Sequence, residues 1–344
     1  MGNTYKNLKH VYFKNPKNRT LFIILLAIML IMTLAMPTKF LSVINIQSMA
    51  SQFPEFGFLA LAMMLSMITG GIDLSIVSIA NLTGVIAAGI LSNSLELGTS
   101  STYAIIQAIA AILVVAVLCG LLNGSLIAFI GVPPILATLG TQGLFMGLAI
   151  IITKGHSISG FPEQFMAIGN SNILGVPISF ILFFIAALGV SVLLNRTQQG
   201  FNMYMIGSSP IVSRFSGVDN TKVLLKTYMI TAVLAGLASV IMISRANSMR
   251  PGYGTAYILQ AILVVVLGGV DPDGGFGNIP GVIMAIIILQ VTQSGLNILA
   301  FSPFFKKFIW GFALLFAMVL NYLIQQRKNK KQTIIIKNRV TSTT

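Results

Sequence analysis

Apolar runs interrupted by polar, glycine-rich or proline-rich breaks divide the chain into ten candidate helices. They cover about 21–37, 53–69, 75–92, 103–130, 135–152, 173–194, 227–244, 257–270, 280–300 and 308–324, with ends fixed to within about four residues. One crossing of a bilayer core needs about 20 apolar residues, which most of these runs approach. Lipid offers no water to satisfy the backbone, so helices are the form such runs take. The pattern predicts an all-α polytopic membrane protein of about ten transmembrane helices. A single transmembrane domain is expected over 21–325, between basic tails at 1–20 and 326–344.

One connection departs from the short breaks. Between the sixth and seventh runs, near 195–226, the chain is too polar to cross a membrane and too apolar for a loose linker, and loops of that length in a compact domain usually carry function. Ile211, Val212, Phe215 and Val218 have helical spacing, Ser208, Ser209 and Pro210 make a good helix start, and Gly217 limits the length. A short amphipathic helix at a membrane surface either docks into a partner's groove, lies on lipid, or is a structural elbow.

Composition and charge sharpen this picture. Of 344 residues, 56% are apolar and only 8% charged, against about 25% charged in a soluble domain, which excludes a water-soluble globule. The net charge of +14 could suggest nucleic acid, but the basic residues gather in the two tails and the long loop. Starting inside and alternating, fifteen basic residues fall on the inner side and six on the outer, so both termini are expected in the cytoplasm. The connections near 195–226 and 271–279 then lie inside, and those near 93–102, 153–172, 245–256 and 301–307 lie outside. The basic start followed by an apolar run resembles a signal peptide, but no small-x-small cleavage pattern follows, so an uncleaved first span is expected. Cys119 stands alone in an apolar run and reads as a small core residue.

Little is available for catalysis. Seven acids and two histidines, His10 and His156, show no metal-ligand spacing, and Gly is nowhere followed by Lys, so the usual phosphate-cradling loop is missing. An enzyme is not expected. Asp73 is more informative, because a carboxylate beside apolar spans costs roughly 2.5 to 3.5 kcal/mol at a helix centre on insertion scales. After the break at Gly70 and Gly71 it can cap the third helix, or line a water-filled path with Ser75 and Ser78. Asp271 and Asp273 fit turn chemistry. In the fifth run Thr138, Gly140, Thr141, Gln142 and Gly143 suit either close helix packing or a polar lumen, and Gln142 is the costlier to bury. The segments 70–86 and 268–283 share Gly-Gly, a branched residue, Asp and then Asn-x-x-Gly-Val-Ile, differing by one residue in spacing, a candidate internal repeat of the kind found in transporters.

Four stretches taken in order, TGGIDLS (69–75), LNGSLIAFIGVPPILATLGT (122–141), MIGSSPIVSRFSGV (205–218) and VVLGGVDPDGGFG (265–277), resemble the permease subunits of bacterial ABC importers in the ribose and monosaccharide branch, which also handles autoinducer-2. The resemblance covers about 20–325. It implies two permeases, this chain with a second copy or a paralogue, forming a pore in the bacterial plasma membrane. Cytoplasmic ATP-binding subunits would drive it, and an extracellular or periplasmic solute-binding protein would deliver a small polar solute; lipid surrounds it and nucleic acid has no part. ATP and Mg would be bound by the partner ATPase, with no cofactor in this chain. The resemblance also implies that Ile206, Gly207, Pro210, Arg214 and Gly217 couple to the ATPase. Asp73, Ser75, Gln142 and Gln260 are the candidates for the translocation path.

One departure bears on the solute. Where many sugar permeases of the branch read Gly-Thr-x-Tyr-Glu-Leu-Asp, this chain reads GTAYILQ, with Ile258 and Gln260 in place of the two acids. A pentose or related monosaccharide is the expected solute, with autoinducer-2 or a nucleoside-like solute as alternatives. A stand-alone ion-coupled carrier would instead use a buried acid such as Asp73 as its ion site.

Overall fold

The computed structural model describes residues 16–319, apart from 97 and 99, so the first fifteen residues and the basic C-terminal tail lie outside the described residues. In chain order the helices are α1 (Pro16–Ala35), α2 (Val43–Ile68), α3 (Ile76–Glu96), α4 (Ser101–Ala128), α5 (Pro134–Thr153), α6 (Glu163–Asn170), α7 (Ile178–Arg196), α8 (Gln198–Ser208), α9 (Pro210–Phe215), α10 (Asn220–Ala246), α11 (Tyr257–Leu267) and α12 (Ile279–Ile298). A further helix, α13, runs over 303–319. Four two-residue strands, β1 (Ile158–Ser159), β2 (Asn172–Ile173), β3 (Val176–Pro177) and β4 (Ser248–Met249), stitch the connections. Eight of the described helices are long and apolar enough to cross a membrane.

Several of the sequence-based spans need correction, the seventh among them, since α10 starts at Asn220 rather than near 227. The second begins at Val43 rather than near 53, because α2 runs straight through Pro54 and its first turns, VINIQSMASQ, mix polar with apolar residues and break the apolar run. The eighth shrinks to the 11 residues of α11, about 16 Å of helix against a core of about 30 Å. Tyr253 is folded into the bundle, its N–H donating to Asn81 Oδ1 (3.1 Å) and its carbonyl accepting from Asn81 Nδ2 (2.9 Å) on α3. The last span covers 303–319 in the described part, earlier than the expected 308–324.

Burial divides the helices into two kinds. α2, α3, α10 and α12 are mostly enclosed, while α1, α4, α5 and α7 each turn an apolar face outward, such as Ile106, Val114 and Leu118 on α4. In lipid an outward Leu gains nothing by moving inward, so the helices associate through close packing of small residues. The contact between α10 and α4 shows how: Gly236 meets Ile112 and Ala116, and Gly120 meets the backbone of Tyr228 and Met229.

The connections collect at the two ends of the bundle. At one end, β1 pairs with β4 (Ile158 with Met249, Ser159 with Ser248), and Asn247 Oδ1 accepts from the Phe161 N–H, so the connections near 153–172 and 245–256 meet. At the other, the Gly275 N–H donates to the Ile68 carbonyl (2.9 Å) and the Tyr204 hydroxyl to the Gly277 carbonyl (2.9 Å). The breaks after α2 and after α11 thus meet the long loop.

Candidate functional site: the coupling loop and the buried polar network

The long loop is two helices. Thr197 caps α8, its Oγ1 accepting from the Gly200 N–H, and Ser209 caps α9, its Oγ accepting from the Val212 N–H (3.3 Å), with Pro210 at the first turn. Gly217, at φ +80°, ends the unit in a conformation that a Cβ would strain. Helix, start and stop thus follow the sequence-based reading, except that α9 ends at Phe215 and Val218 packs inward instead of continuing its face.

The six-residue α9 is strapped to α10. Ser213 is buried and donates to Asn220 Oδ1 (2.7 Å), while Asn220 Nδ2 donates to the Pro210 carbonyl (2.9 Å). Its other face is bare: Ile211, Val212 and Phe215 are exposed, Phe215 at 89%. Pro210, Ile211, Arg214, Phe215 and Asn220 line an open concavity of about 670 Å³. Behind it, Ile206 is buried and Gly207 lies directly against the Ile68 carbonyl and the Gly275 N–H, with no room for a side chain. The five expected coupling residues therefore divide by role: Ile206 and Gly207 anchor the loop to the ends of α2 and the α11–α12 turn, Pro210 and Arg214 form the surface, and Gly217 terminates it. On the same loop Asp219 caps α10. The Lys222 backbone N–H holds its carboxyl below the usual carboxylate range.

Asp73 lies in the break between α2 and α3 and is fully buried. Its Oδ1 accepts from the Ser75 N–H (3.0 Å) and the Ser75 hydroxyl (2.7 Å), and its Oδ2 faces the Thr231 hydroxyl (3.4 Å). Asn123 Nδ2 donates to Ser75 Oγ (2.7 Å), which ties α4 to the same point. Thr138 on α5 accepts from the Leu74 N–H (3.2 Å) and donates to backbone carbonyls, Ile72 among them (3.0 Å). Of the four path candidates, Asp73 and Ser75 share this network. Gln142, one turn beyond Thr138, is half-buried, and Gln260 lies buried on α11 with its Oε1 unpartnered among the described residues. Asp271 makes the same kind of turn as Asp73, accepting from the N–H two residues on (3.1 Å), so the two halves of the candidate repeat share a local geometry.

Sequence reasoning missed Glu55. It is 3% exposed on the side chain, pairs with Arg245 and accepts from the Tyr257 hydroxyl (2.7 Å). The signal was available, since an acid at the edge of an apolar run invites the same question as Asp73.

Residues 45–318 match the model of a family described as the permease component of a branched-chain amino acid transport system. The chain belongs to this permease family. It is 32% identical over 306 residues to the ribose import permease protein RbsC of Bacillus subtilis (strain 168), spanning 86% of this chain and 90% of that one. It is 32% identical over 255 residues to the autoinducer 2 import system permease protein LsrD of Yersinia enterocolitica, spanning 72% and 75%. Against LsrD of Escherichia coli (strain K12) the identity is 34% over 253 residues, spanning 72% and 74%. No solved structure matches the chain significantly. The permease is thus a multi-pass inner-membrane transport subunit of the ABC importer class. ATP hydrolysis in that class belongs to a separate chain, and a solute-binding protein supplies the cargo.

Proposed function

We propose that this permease imports a small, neutral, sugar-like solute, a pentose or related monosaccharide, and that α9 transmits closure of the ATP-binding subunits to the spans. Both termini and α9 face the cytoplasm, the transmembrane domain spans 21–325, and a second permease, identical or paralogous, completes the pore. The partner binds ATP and Mg; this chain contributes the grip. The observation that carries the reading is the junction at Gly207. A short helix with a bare apolar face is joined through backbone contacts to the end of α2 and to the turn before α12. Displacement of α9 cannot be absorbed by side-chain rearrangement there, so it passes to two core helices. Coupling further requires that the partner hold α9 differently in its two states.

The solute class is supported by the named cargo of the B. subtilis relative, ribose. Autoinducer-2, the named cargo of the LsrD relatives, is the alternative. The test is the assembled importer carrying Gly207→Ala or Arg214→Glu, assayed for solute-stimulated ATP hydrolysis and uptake. Reduced stimulation in both variants is expected; unchanged stimulation and uptake would overturn the assignment.

A further inference from the structure

The polar group around Glu55 lies away from α9, where α10 ends and α11 begins. Glu55 follows Pro54 in the middle of α2; its Oε1 accepts from Arg245 Nη1 in the last turn of α10, and its Oε2 from the hydroxyl of Tyr257, the first residue of α11. Three helices therefore converge on one carboxylate. The Phe56 ring lies 6.4 Å from that of Tyr257, tilted by 40°. Gln260 follows Tyr257 by three residues, which puts it on the same helix face. It is buried, and its Oε1 accepts no hydrogen bond among the described residues.

A purely structural clamp explains only part of this. Replacing a buried ion pair by apolar residues of similar volume is often neutral or stabilising, so such a pair is weak evidence for stability. An amide oxygen left unpaired in the interior adds the cost of its lost hydration, which the pairing of Glu55, Arg245 and Tyr257 does not offset. The cluster is also not sealed: the Arg245 side chain keeps 27% of its surface exposed while the carboxylate beneath it keeps 3%. Carboxylate and amide oxygens accept, guanidinium and phenol donate, and the Phe56 and Tyr257 rings supply apolar surface beside them. That combination, a few placed polar groups among aromatic walls, complements a compact molecule bearing several hydroxyls. Because its charges already cancel, the cluster offers an ionised solute no counter-charge.

We infer that Glu55, Arg245, Tyr257 and Gln260 form a station on the solute path that receives the hydroxyl groups of a neutral polyhydroxylated solute, with Gln260 Oε1 accepting from one of them. This rests on the importer reading above and adds the residues that meet the solute. Gln260→Leu removes the orphaned acceptor at nearly constant volume, and Glu55→Gln keeps hydrogen-bonding capacity toward Arg245 and Tyr257 while removing the charge.

The complete importer, with ATPase and binding protein, is reconstituted in vesicles and supplied with D-ribose or its 2-, 3- or 5-deoxy analogues. Selectivity of the binding protein is common to all permease variants and cancels between them. For at least one analogue the preference for ribose should shrink by about tenfold in Gln260→Leu, the effect of one lost hydrogen bond. A second variant, Glu55→Gln, should alter the preference for a different analogue. Identical ratios in wild type and both variants would overturn the station while leaving the importer reading intact. A wild-type complex that moves none of these sugars would overturn the sugar reading itself.

Discussion

Two buried carboxylates, Asp73 and Glu55, are held by opposite means. Asp73 faces no cation among the described residues; its oxygens are occupied by the backbone and hydroxyl of Ser75 and by Thr231, and it is closed from every side. Glu55 is met by a guanidinium that is itself partly open. The first arrangement is a joint: an acid that satisfies the loose backbone where one helix stops and the next starts. The second spans three helices and keeps part of its cation open, while unpartnered buried polar atoms occur beside both acids among the described residues, Asn123 Oδ1 and the Tyr228 hydroxyl near Asp73 and Gln260 Oε1 on the helix that Tyr257 begins. In this chain the burial of an acid says little about its use until its partners are known.

The sharpest way to separate the two is to remove partners rather than acids. Arg245→Leu strands the Glu55 charge and should destabilise the detergent-solubilised protein by about 3–5 kcal/mol, whereas Glu55→Leu with Arg245→Leu should fall near wild type. Thermal unfolding measures both, and equal losses would mean that the pair is not the source. At the junction behind α9, Gly207→Ala should cost about 1–3 kcal/mol through overpacking against the Ile68 carbonyl, and should slow uptake as well. Asp73→Ala should cost about 1–3 kcal/mol because it leaves the buried Ser75 N–H and hydroxyl without their acceptor, while Asp73→Asn should retain most of the stability because an amide oxygen also accepts. A large loss in Asp73→Asn would show that the charge matters and weaken the contrast with Glu55. Phe215→Ser, on the bare face, should leave stability within about 0.5 kcal/mol and still reduce uptake.

The smallest effect concerns Asp219. Its folded carboxyl is held below the ordinary range, so its contribution is present above the unfolded value and is lost as pH falls through the folded one. The unfolding difference between wild type and Asp219→Ala should therefore fade on acidification.

What could be read from the sequence was local. Ser209, Pro210 and Gly217 announce a short helix because caps, a first-turn proline and a left-handed glycine act within a few residues, and the structure places them in those roles. Asp73 reads as a candidate cap of the third helix; in the structure Ser75 stands at that start and Asp73 holds the Ser75 N–H and hydroxyl from the break before it. The station was not, since Glu55 meets partners 190 and 202 positions away, and nothing in the spacing of an apolar run reveals such pairing. The shortness of α11 was hidden too: an unbroken apolar stretch does not show where the helix within it ends. Gly207 reads as a helix glycine until the Ile68 carbonyl and Gly275 are placed against it.

The central claim, that α9 is the surface gripped by the ATPase, is tested most directly by cross-linking. Cys119, the one native cysteine, is buried, so a cysteine replacing Phe215 provides a single reactive position. In the assembled importer, Phe215→Cys should cross-link to the ATP-binding subunit, while Leu118→Cys on the outward face of α4 should not. Labelling of Phe215→Cys in intact cells by a membrane-impermeant thiol reagent, with no cross-link to the ATPase, would contradict it.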